Sequence, residues 1–324
     1  MLPVRPPALQ HSATSRLIRV PDWPKLPAGM KLHKVSMVEL DSQGNVYVAH
    51  RGDHPLFSLH PDGSLRSLIG EDVITQTTAY DVSGPVPVVI ETNYGLHGLS
   101  VDPWDNLWVT DTGRHLVMRF DPKGKLNLTL GVDNVPGCDA THFNQPTHAI
   151  AVPTGEIFVT DGYGNFRVVK LSAEGKFIKD WGTSGYGPGQ FHTPHAIRLG
   201  PDGNLYVSDR ENDRVQIFTQ DGKHLGIWDG LHSMDGICLA PDGRFYGSSG
   251  IDHAIIQFGP GGRPVQIWAD AAQGDYPDRY LQPFPNGDYP HGISVDQDGF
   301  IYIAETTVSP LGSRLLKFRT EPKL

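Results

Sequence analysis

The sequence is poor in cysteine and contains no long apolar run, and each shortage excludes a class of protein. Two cysteines in 324 residues, Cys138 and Cys238, argue against a disulfide framework and favour free thiols in a reducing compartment. No stretch approaches the roughly 18 consecutive apolar residues of a transmembrane helix, and residues 1–20 lack the apolar core of a secretory signal. We therefore expect a cytoplasmic protein with no membrane partner.

Basic charge is also scarce relative to acidic charge. The chain has 27 lysines and arginines against 36 aspartates and glutamates, a formal net charge of −9. Because nucleic acids and anionic lipids bind preferentially to basic surfaces, we expect neither as a main partner. What the chain does have is 37 glycines and 27 prolines, which is typical of many short strands joined by tight turns.

A short phrase recurs with a histidine at the same place. Its four copies are Leu96-His97-Gly98-Leu99, Thr147-His148-Ala149-Ile150, Pro194-His195-Ala196-Ile197 and Pro290-His291-Gly292-Ile293. A turn and a β-rich run follow each copy. When the chain is aligned on the turn glycines, six units emerge, which start near residues 35, 96, 147, 194, 234 and 290. The spacing of about 40 to 60 residues is in the range of four-stranded propeller blades.

Each unit has the pattern of a small antiparallel sheet. A short apolar strand leads through a turn such as Pro201-Asp202-Gly203 into a second strand, and two further strands follow. No long helical periodicity is present. This pattern resembles the NHL-repeat family and predicts an all-β, six-bladed β-propeller over residues 31–324, preceded by an N-terminal extension over residues 1–30. Two long insertions, Glu71–Tyr94 and Asp270–Tyr289, are predicted to be lids or extra edge structure.

Propellers line their central channel with the first strand of each blade, so residues at equivalent positions form a ring. The predicted ring consists of Ser36, His97, His148, His195, Asp235 and His291. Alternate units lie a third of a turn apart, so His97, His195 and His291 can meet and bind zinc or another divalent transition metal through three nitrogens. His148 and Asp235 are then predicted to support those ligands or to contact a substrate. The alternative is that the histidines only make hydrogen bonds between blades.

Longer phrases resemble a more specific family. They are His50-Arg51-Gly52-Asp53-His54, Trp108-Val109-Thr110-Asp111, Asn144-Gln145-Pro146-Thr147, Val159-Thr160-Asp161-Gly162-Tyr163, Pro188-Gly189-Gln190-Phe191 and Asp209-Arg210-Glu211-Asn212. Together with the histidine phrases they are similar to the peptidyl-α-hydroxyglycine α-amidating lyases, from about Val35 to Phe318. The resemblance implies a lyase that cleaves an N-acyl α-hydroxyglycine into an amide and glyoxylate. The site residues that it implies are the zinc ligands His97, His195 and His291, the catalytic Tyr163, and the active-site arginines Arg51 and Arg210.

The chemistry of these residue types agrees with that activity. Breaking a carbinolamine C–N bond requires removal of the hydroxyl proton and a proton for the leaving nitrogen, which a tyrosine close to cations can exchange. Arginines suit a carboxylate through paired hydrogen bonds, so a small-molecule carboxylate is the expected partner. Each residue also has a plainer interpretation. Arg51 and Arg210 could pair with Asp53 and Glu211, and Tyr163 could be a packed surface residue.

The sequence departs from that family in ways that bear on cofactor and substrate. The family binds a structural calcium with an aspartate and two backbone carbonyls, which fall here on Gly292, Val38 and Leu99. A glycine supplies no carboxylate, so the sequence argues against calcium. Gly164 follows Tyr163 where a disulfide cysteine would stand, and we expect no copper domain before the propeller. The expected substrate is therefore a small N-acyl or N-carbamoyl α-hydroxy acid, such as a ureidoglycolate-like compound, rather than a secretory peptide.

Two other functions stay open at this point. One is a metal-dependent propeller hydrolase, such as a lactonase, although such enzymes usually hold calcium with carboxylate and amide oxygens. The other is a non-catalytic NHL interaction module, which typically presents a basic face. The imidazole-rich ring and the net charge of −9 favour the lyase over both. The sequence makes no prediction of oligomeric state.

Overall fold

A computed structural model describes residues 9, 12–81, 88–269, 289–306 and 313–322. These residues form six four-stranded antiparallel sheets and one two-stranded sheet, which confirms the predicted all-β, six-bladed propeller. The only helical segments in these ranges are two short 3-10 turns, Arg210–Asn212 and Pro260–Gly262. None of the described helices has the length and apolar character needed to cross a membrane.

The first strand of the chain belongs to the last blade, and the blades that follow it are continuous in sequence. That first strand is β1 (Ser15–Arg19). Blade one consists of β2 (Met37–Leu40), β3 (Val46–Ala49), β4 (Leu56–Leu59) and β5 (Leu65–Leu68). An inserted two-stranded sheet consists of β6 (Gln76–Asp81) and β7 (Val88–Tyr94). Blade two consists of β8 (Leu96–Val101), β9 (Leu107–Asp111), β10 (Leu116–Phe120) and β11 (Leu126–Leu130).

The remaining four blades repeat the same order. Blade three consists of β12 (His148–Ala151), β13 (Ile157–Asp161), β14 (Arg167–Leu171) and β15 (Phe177–Trp181). Blade four consists of β16 (Pro194–Leu199), β17 (Leu205–Asp209), β18 (Arg214–Phe218) and β19 (His224–Trp228). Blade five consists of β20 (Met234–Leu239), β21 (Phe245–Ser249), β22 (Ala254–Phe258) and β23 (Pro264–Trp268). Blade six consists of β24 (Pro290–Val295), β25 (Ile301–Glu305), β26 (Leu315–Pro322) and, outermost, β1.

The first strands of the six blades form a closed ring. Each contacts the first strand of the next blade, and β24 of blade six contacts β2 of blade one. The ring is also closed at its outer edge, because β1 pairs antiparallel with β26 from Ser15 opposite Pro322 to Arg19 opposite Phe318. Residues within the predicted N-terminal extension therefore supply a strand of the propeller.

Turn chemistry and burial explain why each unit folds as a blade. In the first turn of blade two, Asp102 Oδ1 lies 2.9 Å from the backbone nitrogens of both Trp104 and Asn106, which fixes the hairpin. Second strands such as β9 and β17 are buried along their whole length because both sheet faces pack against neighbouring blades. The outer strand β19 instead alternates between partly buried and exposed residues. Apolar clusters that span adjacent blades, such as the one that contains Trp108 of blade two and Val159 of blade three, build the core.

The structure describes most of the first predicted insertion and almost none of the second. Within Glu71–Tyr94, the chain forms the two-stranded sheet of β6 and β7, so this insertion is extra strand structure. Residues 82–87 at its tip lie outside the described residues. The second insertion lies outside the described residues as well, apart from Tyr289 at its end.

The structure corrects one position of the predicted ring. In β12, His148 pairs with Thr160, and in β16, Ala196 pairs with Ser208, the residue equivalent to Thr160. His148 is therefore equivalent to Ala196, and the residue equivalent to His195 is Thr147. The turn spacing agrees, because Thr147 precedes its turn glycine by eight residues, as His195 does. The ring therefore consists of Ser36, His97, Thr147, His195, Asp235 and His291.

Candidate metal centre

Three imidazoles from alternate blades lie together in the central channel. One ring nitrogen from each of His97, His195 and His291 lies within 4.8 Å of the other two. The ring centroids are 4.7 to 4.9 Å apart, and the three residues are 1%, 2% and 5% exposed. The structure thus brings the three predicted ligands together in a place shielded from solvent.

Irregular strand pairing aims these side chains at one another. In β16 the residues on either side of His195 pair with consecutive residues of β17, so His195 itself has no partner opposite. The pairing shifts in the same region of β8, at His97, and of β24, at His291. An extra residue of this kind bends a strand and redirects its side chain. The bulges therefore place the histidines where a regular strand would not.

Each imidazole is oriented by a backbone carbonyl of the next blade, and the three acceptors occupy equivalent ring positions. The Nδ1-to-oxygen contacts are His97 to Thr147 at 2.7 Å, His195 to Asp235 at 2.7 Å and His291 to Ser36 at 2.6 Å. A carbonyl can only accept, so each Nδ1 carries the proton and each neutral ring keeps its lone pair on Nε2.

Burial keeps the three rings neutral. It lowers the pKa of His291 to about 3 and holds the pKa values of His97 and His195 well below the usual range. The positive charges of Arg51 and Arg210 act in the same direction on His291. Three neutral imidazoles with fixed tautomers are the donor set of a catalytic zinc site. The residues present therefore fit a divalent transition metal.

The phenol of Tyr163 lies against two of these imidazoles. Its oxygen is 2.8 Å from Nε2 of His97 and 3.0 Å from Nε2 of His195. A phenol has one proton, so it can satisfy only one of the two lone pairs at a time, which leaves the others for a metal or a substrate. Burial raises the pKa of Tyr163, and the positive charges of Arg210 and Arg51 oppose that rise.

Close packing between blades three and four explains the glycine before this tyrosine. Gly162 follows β13 and passes the start of β16, and a Cβ at Gly162 would lie 1.9 Å from the carbonyl oxygen of Pro194. The preceding Asp161 accepts a hydrogen bond from the backbone nitrogen of Asn144 at 2.8 Å and one from Asn165 Nδ2 at 2.6 Å. These contacts hold the loop so that the next side chain, Tyr163, points at the histidines.

Arg210 connects Tyr163 to a buried carboxylate. Its Nη1 lies 3.4 Å from the Tyr163 oxygen and 3.2 Å from Asp235 Oδ1, and its guanidinium carbon is 5.4 Å from the Tyr163 ring centroid. Arg210 Nε also donates to Glu211 at 3.0 Å, so the salt bridge of the plainer interpretation forms too. Asp235 accepts a further hydrogen bond from Gly250 N at 2.9 Å, and burial raises its pKa to about 6.

Arg51 differs from Arg210 in having an unsatisfied donor. Its Nε is buried and has no hydrogen-bond partner among the residues that the structure describes. The Arg51 charge lowers the pKa values of His97 and Tyr163, so the side chain belongs to the same site. A buried donor without a partner is costly, which indicates that a ligand completes the site. A carboxylate is the group that a guanidinium binds best.

His50 shapes the loop that carries Arg51, and the sequence analysis missed it. Its Nδ1 accepts hydrogen bonds from Gly52 N at 3.2 Å and His33 N at 3.3 Å, and its Nε2 donates to the His54 carbonyl at 3.0 Å. Burial lowers the pKa of His50 to about 4, so the ring is neutral at pH 7. The available signal was its position directly after a second strand, where blades two to four have an aspartate.

His148 is the predicted site residue that lies apart from this cluster. Its Nε2 is 3.1 Å from the Leu99 carbonyl and 3.3 Å from Arg198 Nη1, further along the channel than the metal ring. Tyr289, which the sequence analysis treated only as the end of an insertion, lies with its hydroxyl 3.5 Å from Asp235 Oδ1. The other predicted residues form the single cluster described above.

Comparisons with known proteins agree with this architecture. A model of the NHL repeat matches residues 191–218, in blade four. Peptidyl-glycine alpha-amidating monooxygenase of Mus musculus is 35% identical over 294 residues, which cover 84% of this chain and 29% of the mouse protein. Peptidyl-alpha-hydroxyglycine alpha-amidating lyase 1 of Drosophila melanogaster is 36% identical over 216 residues, 60% of this chain and 39% of the fly protein. The chain is a lyase-like member of the NHL-repeat propeller family.

Solved propellers share the fold of this NHL-repeat chain at low sequence identity. A streptogramin B lyase superposes with a TM-score of 0.58 at 16% identity, over 95% of this chain and 97% of that chain. A gluconolactonase from Xanthomonas campestris gives a TM-score of 0.58 at 14% identity, over 99% of both chains. Two relatives named as peptidyl-alpha-hydroxyglycine alpha-amidating lyases match 58% and 60% of this chain. Because the chain spans only 29% of the mouse protein's length, its own reaction and substrate are proposals.

Proposed function

We propose that this chain is a metal-dependent carbon–nitrogen lyase that cleaves an N-acyl or N-carbamoyl α-hydroxyglycine-type carbinolamide into an amide and glyoxylate. The observation that carries the proposal is the meeting of three Nε2 lone pairs, one phenol and one unpartnered guanidinium donor in one buried place. A carbinolamide acid carries a hydroxyl, a carboxylate and an amide nitrogen on a single carbon. Those three groups match the three kinds of side chain.

The three histidines supply the metal ligands in this proposal. His97, His195 and His291 would hold zinc or another divalent transition metal through Nε2. A cation there supplies the Lewis acidity that lowers the pKa of a substrate hydroxyl. The Nδ1 hydrogen bonds to the neighbouring backbone carbonyls keep the rings in the tautomer and orientation that ligation requires.

The two arginines have different tasks in this proposal. Arg51 binds the substrate carboxylate, because its Nε has no hydrogen-bond partner within the described part of the chain. Arg210 is already bound to Asp235 and Glu211, so its charge acts on Tyr163 rather than on the substrate. This division orients the substrate with its carboxylate at Arg51 and its hydroxyl near the phenol.

Tyr163 moves the proton. Its phenolate form, which the Arg210 and Arg51 charges stabilise against the effect of burial, accepts the hydroxyl proton of the substrate. The electron pair of that O–H bond forms the carbonyl of glyoxylate as the C–N bond breaks, and the nitrogen keeps the C–N pair. Tyr163 then donates the proton to that nitrogen, which releases the amide and restores the phenolate. The reaction needs neither water nor a redox partner.

Glyoxylate release tests the proposal. We expect the purified full chain to release glyoxylate from α-hydroxyhippurate or ureidoglycolate, and His195→Ala to lose activity by about 100-fold or more. His60→Ala, a change in an exposed turn, is the matched control and is expected to keep full activity. Turnover of a lactone with calcium, and no glyoxylate, would favour the hydrolase instead. No turnover of either substrate and no bound metal would favour the interaction module.

A further inference from the structure

A second ring of side chains lies three residues beyond the metal ring, further along the channel. Its members are Glu39, Ser100, Ile150, Arg198, Cys238 and Ser294. The acid and the base of this ring, Glu39 and Arg198, come from blades one and four. In a ring of six blades these two are diametrically opposite, so a contact between them must cross the channel.

Glu39 and Arg198 make that contact. Arg198 Nη2 donates to Glu39 Oε1, and Ser294 Oγ donates to Glu39 Oε2 at 3.2 Å. The two side chains are 10% and 13% exposed, so the ion pair is shielded from water. Removal of one partner from a shielded pair is far more costly than removal of one partner from a surface pair, because the charge that remains is left uncompensated. The channel is therefore braced from one side to the other by side chains of this protein.

His148 lies beside the Glu39–Arg198 pair and makes a hydrogen bond to a backbone carbonyl. Its Nε2 donates to the Leu99 carbonyl at 3.1 Å, and its Nδ1 accepts from the Ile197 backbone nitrogen at 3.4 Å. Arg198 Nη1 lies 3.3 Å from the same imidazole. The Leu99 carbonyl, one of the oxygens to which the family resemblance assigns a calcium ion, is thus engaged by a neutral imidazole with a guanidinium beside it.

Gly292 leaves no space for the carboxylate that the family uses at its calcium ion. A Cβ at Gly292 would lie 2.7 Å from the Met37 Cα and 2.9 Å from the Ser36 carbonyl oxygen, which are backbone atoms of blade one. An aspartate at this position would have to push blades one and six apart. A calcium ion needs several oxygen ligands, usually with a carboxylate among them, so the residues present do not fit calcium.

We propose that the guanidinium of Arg198 takes the place of a calcium ion in this chain, and that it holds opposite blades together through Glu39. A cation that is part of the polypeptide does not dissociate on dilution or with a calcium chelator, whereas a bound ion stabilises only by mass action. The propeller is therefore stable without calcium. This inference concerns the stability of the channel and does not rest on the proposed reaction.

Thermal unfolding of the full chain in the presence and absence of calcium tests the first part. Protein dialysed into calcium-free buffer with zinc retained is expected to contain no calcium by elemental analysis, and its Tm is expected not to change on addition of calcium chloride. Co-purification of about one equivalent of calcium, or a Tm that rises by several degrees with calcium, would overturn the proposal.

Substitution of the ion pair tests the second part. Arg198→Met leaves Glu39 unpaired in a shielded place, and we expect the Tm to fall by about 5–10 °C. The double variant Arg198→Met with Glu39→Gln is expected to recover at least half of that loss. Arg319→Met, which removes an exposed pair with Glu321, is the matched control and is expected to shift the Tm by no more than about 2 °C.

Two further outcomes decide the role of the Arg198 charge. Arg198→Lys keeps a cation in the channel, so it is expected to retain most of the Tm and to stay insensitive to calcium, even if Arg198→Met does not fold. A Tm unchanged in Arg198→Met, or a double variant no more stable than the single one, would show that the pair does not brace the channel.

Discussion

Substitution of Arg51 distinguishes most clearly between a residue that binds the substrate and a residue that stabilises the fold. Its buried Nε has no hydrogen-bond partner among the described residues, so substitution by glutamine breaks no hydrogen bond at that atom. A hydrogen bond to a charged group contributes about 1.5–3 kcal/mol. Two such bonds from a guanidinium to a carboxylate amount to about 3–6 kcal/mol, or a loss of about 10²- to 10⁴-fold in kcat/KM at 1.4 kcal/mol per factor of ten.

The assay is steady-state glyoxylate release combined with thermal unfolding of the same preparations. Arg51→Gln is expected to lose kcat/KM by that factor while its Tm stays within about 2 °C of the native value. Arg51→Lys keeps the charge but not the paired donors, so an intermediate loss is expected. Arg114→Gln is the contrasting control. Arg114 pairs with Asp133 at 2.7 Å and donates to the Val73 carbonyl at 2.8 Å, and neither contact belongs to the site, so we expect a fall in Tm of about 2–5 °C with little change in kcat/KM.

A loss of stability without a loss of activity would contradict the proposed role of Arg51. If Arg51→Gln lowered the Tm by several degrees and left kcat/KM within about threefold of the native value, Arg51 would be a structural residue. The carboxylate would then have to be bound elsewhere in the site.

Three other changes give distinct readouts. Tyr163→Phe is expected to lower kcat by about 100-fold or more with metal content unchanged, and a full kcat would exclude Tyr163 as the proton carrier. Asp235→Asn removes a negative charge that raises the pKa of Tyr163, so the lower limb of the pH profile of kcat should move to lower pH. Burial lowers the pKa of His148 to about 4, below its unfolded value of about 6.5. The free energy of unfolding of the wild-type protein therefore decreases as the pH falls from 6.5 towards 4, because the unfolded state takes up a proton at His148 and the folded state does not. Between pH 7 and pH 5, the free energy of unfolding of His148→Gln, measured in urea, should decrease by about 2 kcal/mol less than that of the wild type.

Most of the fold could be predicted from the sequence because its signals are local. The turn sequences and the short apolar strands repeat in every unit, and each blade pairs neighbouring strands through short loops. The outer closure was not predictable in this way, because β1 pairs with a strand near the other end of the chain. Residues assigned to an extension thus became part of blade six.

The residues of the candidate site that recur at the same position of alternate units could be predicted from the sequence. The residue whose register depends on how its strand pairs could not. His97, His195 and His291 were found because they recur in alternate units. His148 shares their sequence phrase but not their structural register, which is set by pairing with β13 and is matched instead by Thr147. Counting back from the turn glycine would have shown this, since Thr147 and not His148 keeps the spacing of eight.

Contacts between distant residues had no sequence signal. Glu39 and Arg198 are 159 positions apart, and neither belongs to a recognisable motif. The different roles of the two arginines also follow only from three-dimensional surroundings. Arg210 is paired with Asp235 of the next blade, while Arg51 Nε is left without a partner in the described structure.

Metal content is the measurement on which the three-histidine centre depends most directly. Native protein and the His60→Ala control, purified without chelator, are expected to contain about one equivalent of zinc or another divalent transition metal, and His195→Ala none. A native protein without any transition metal, or a His195→Ala variant that keeps a full equivalent, would contradict a metal centre built from His97, His195 and His291.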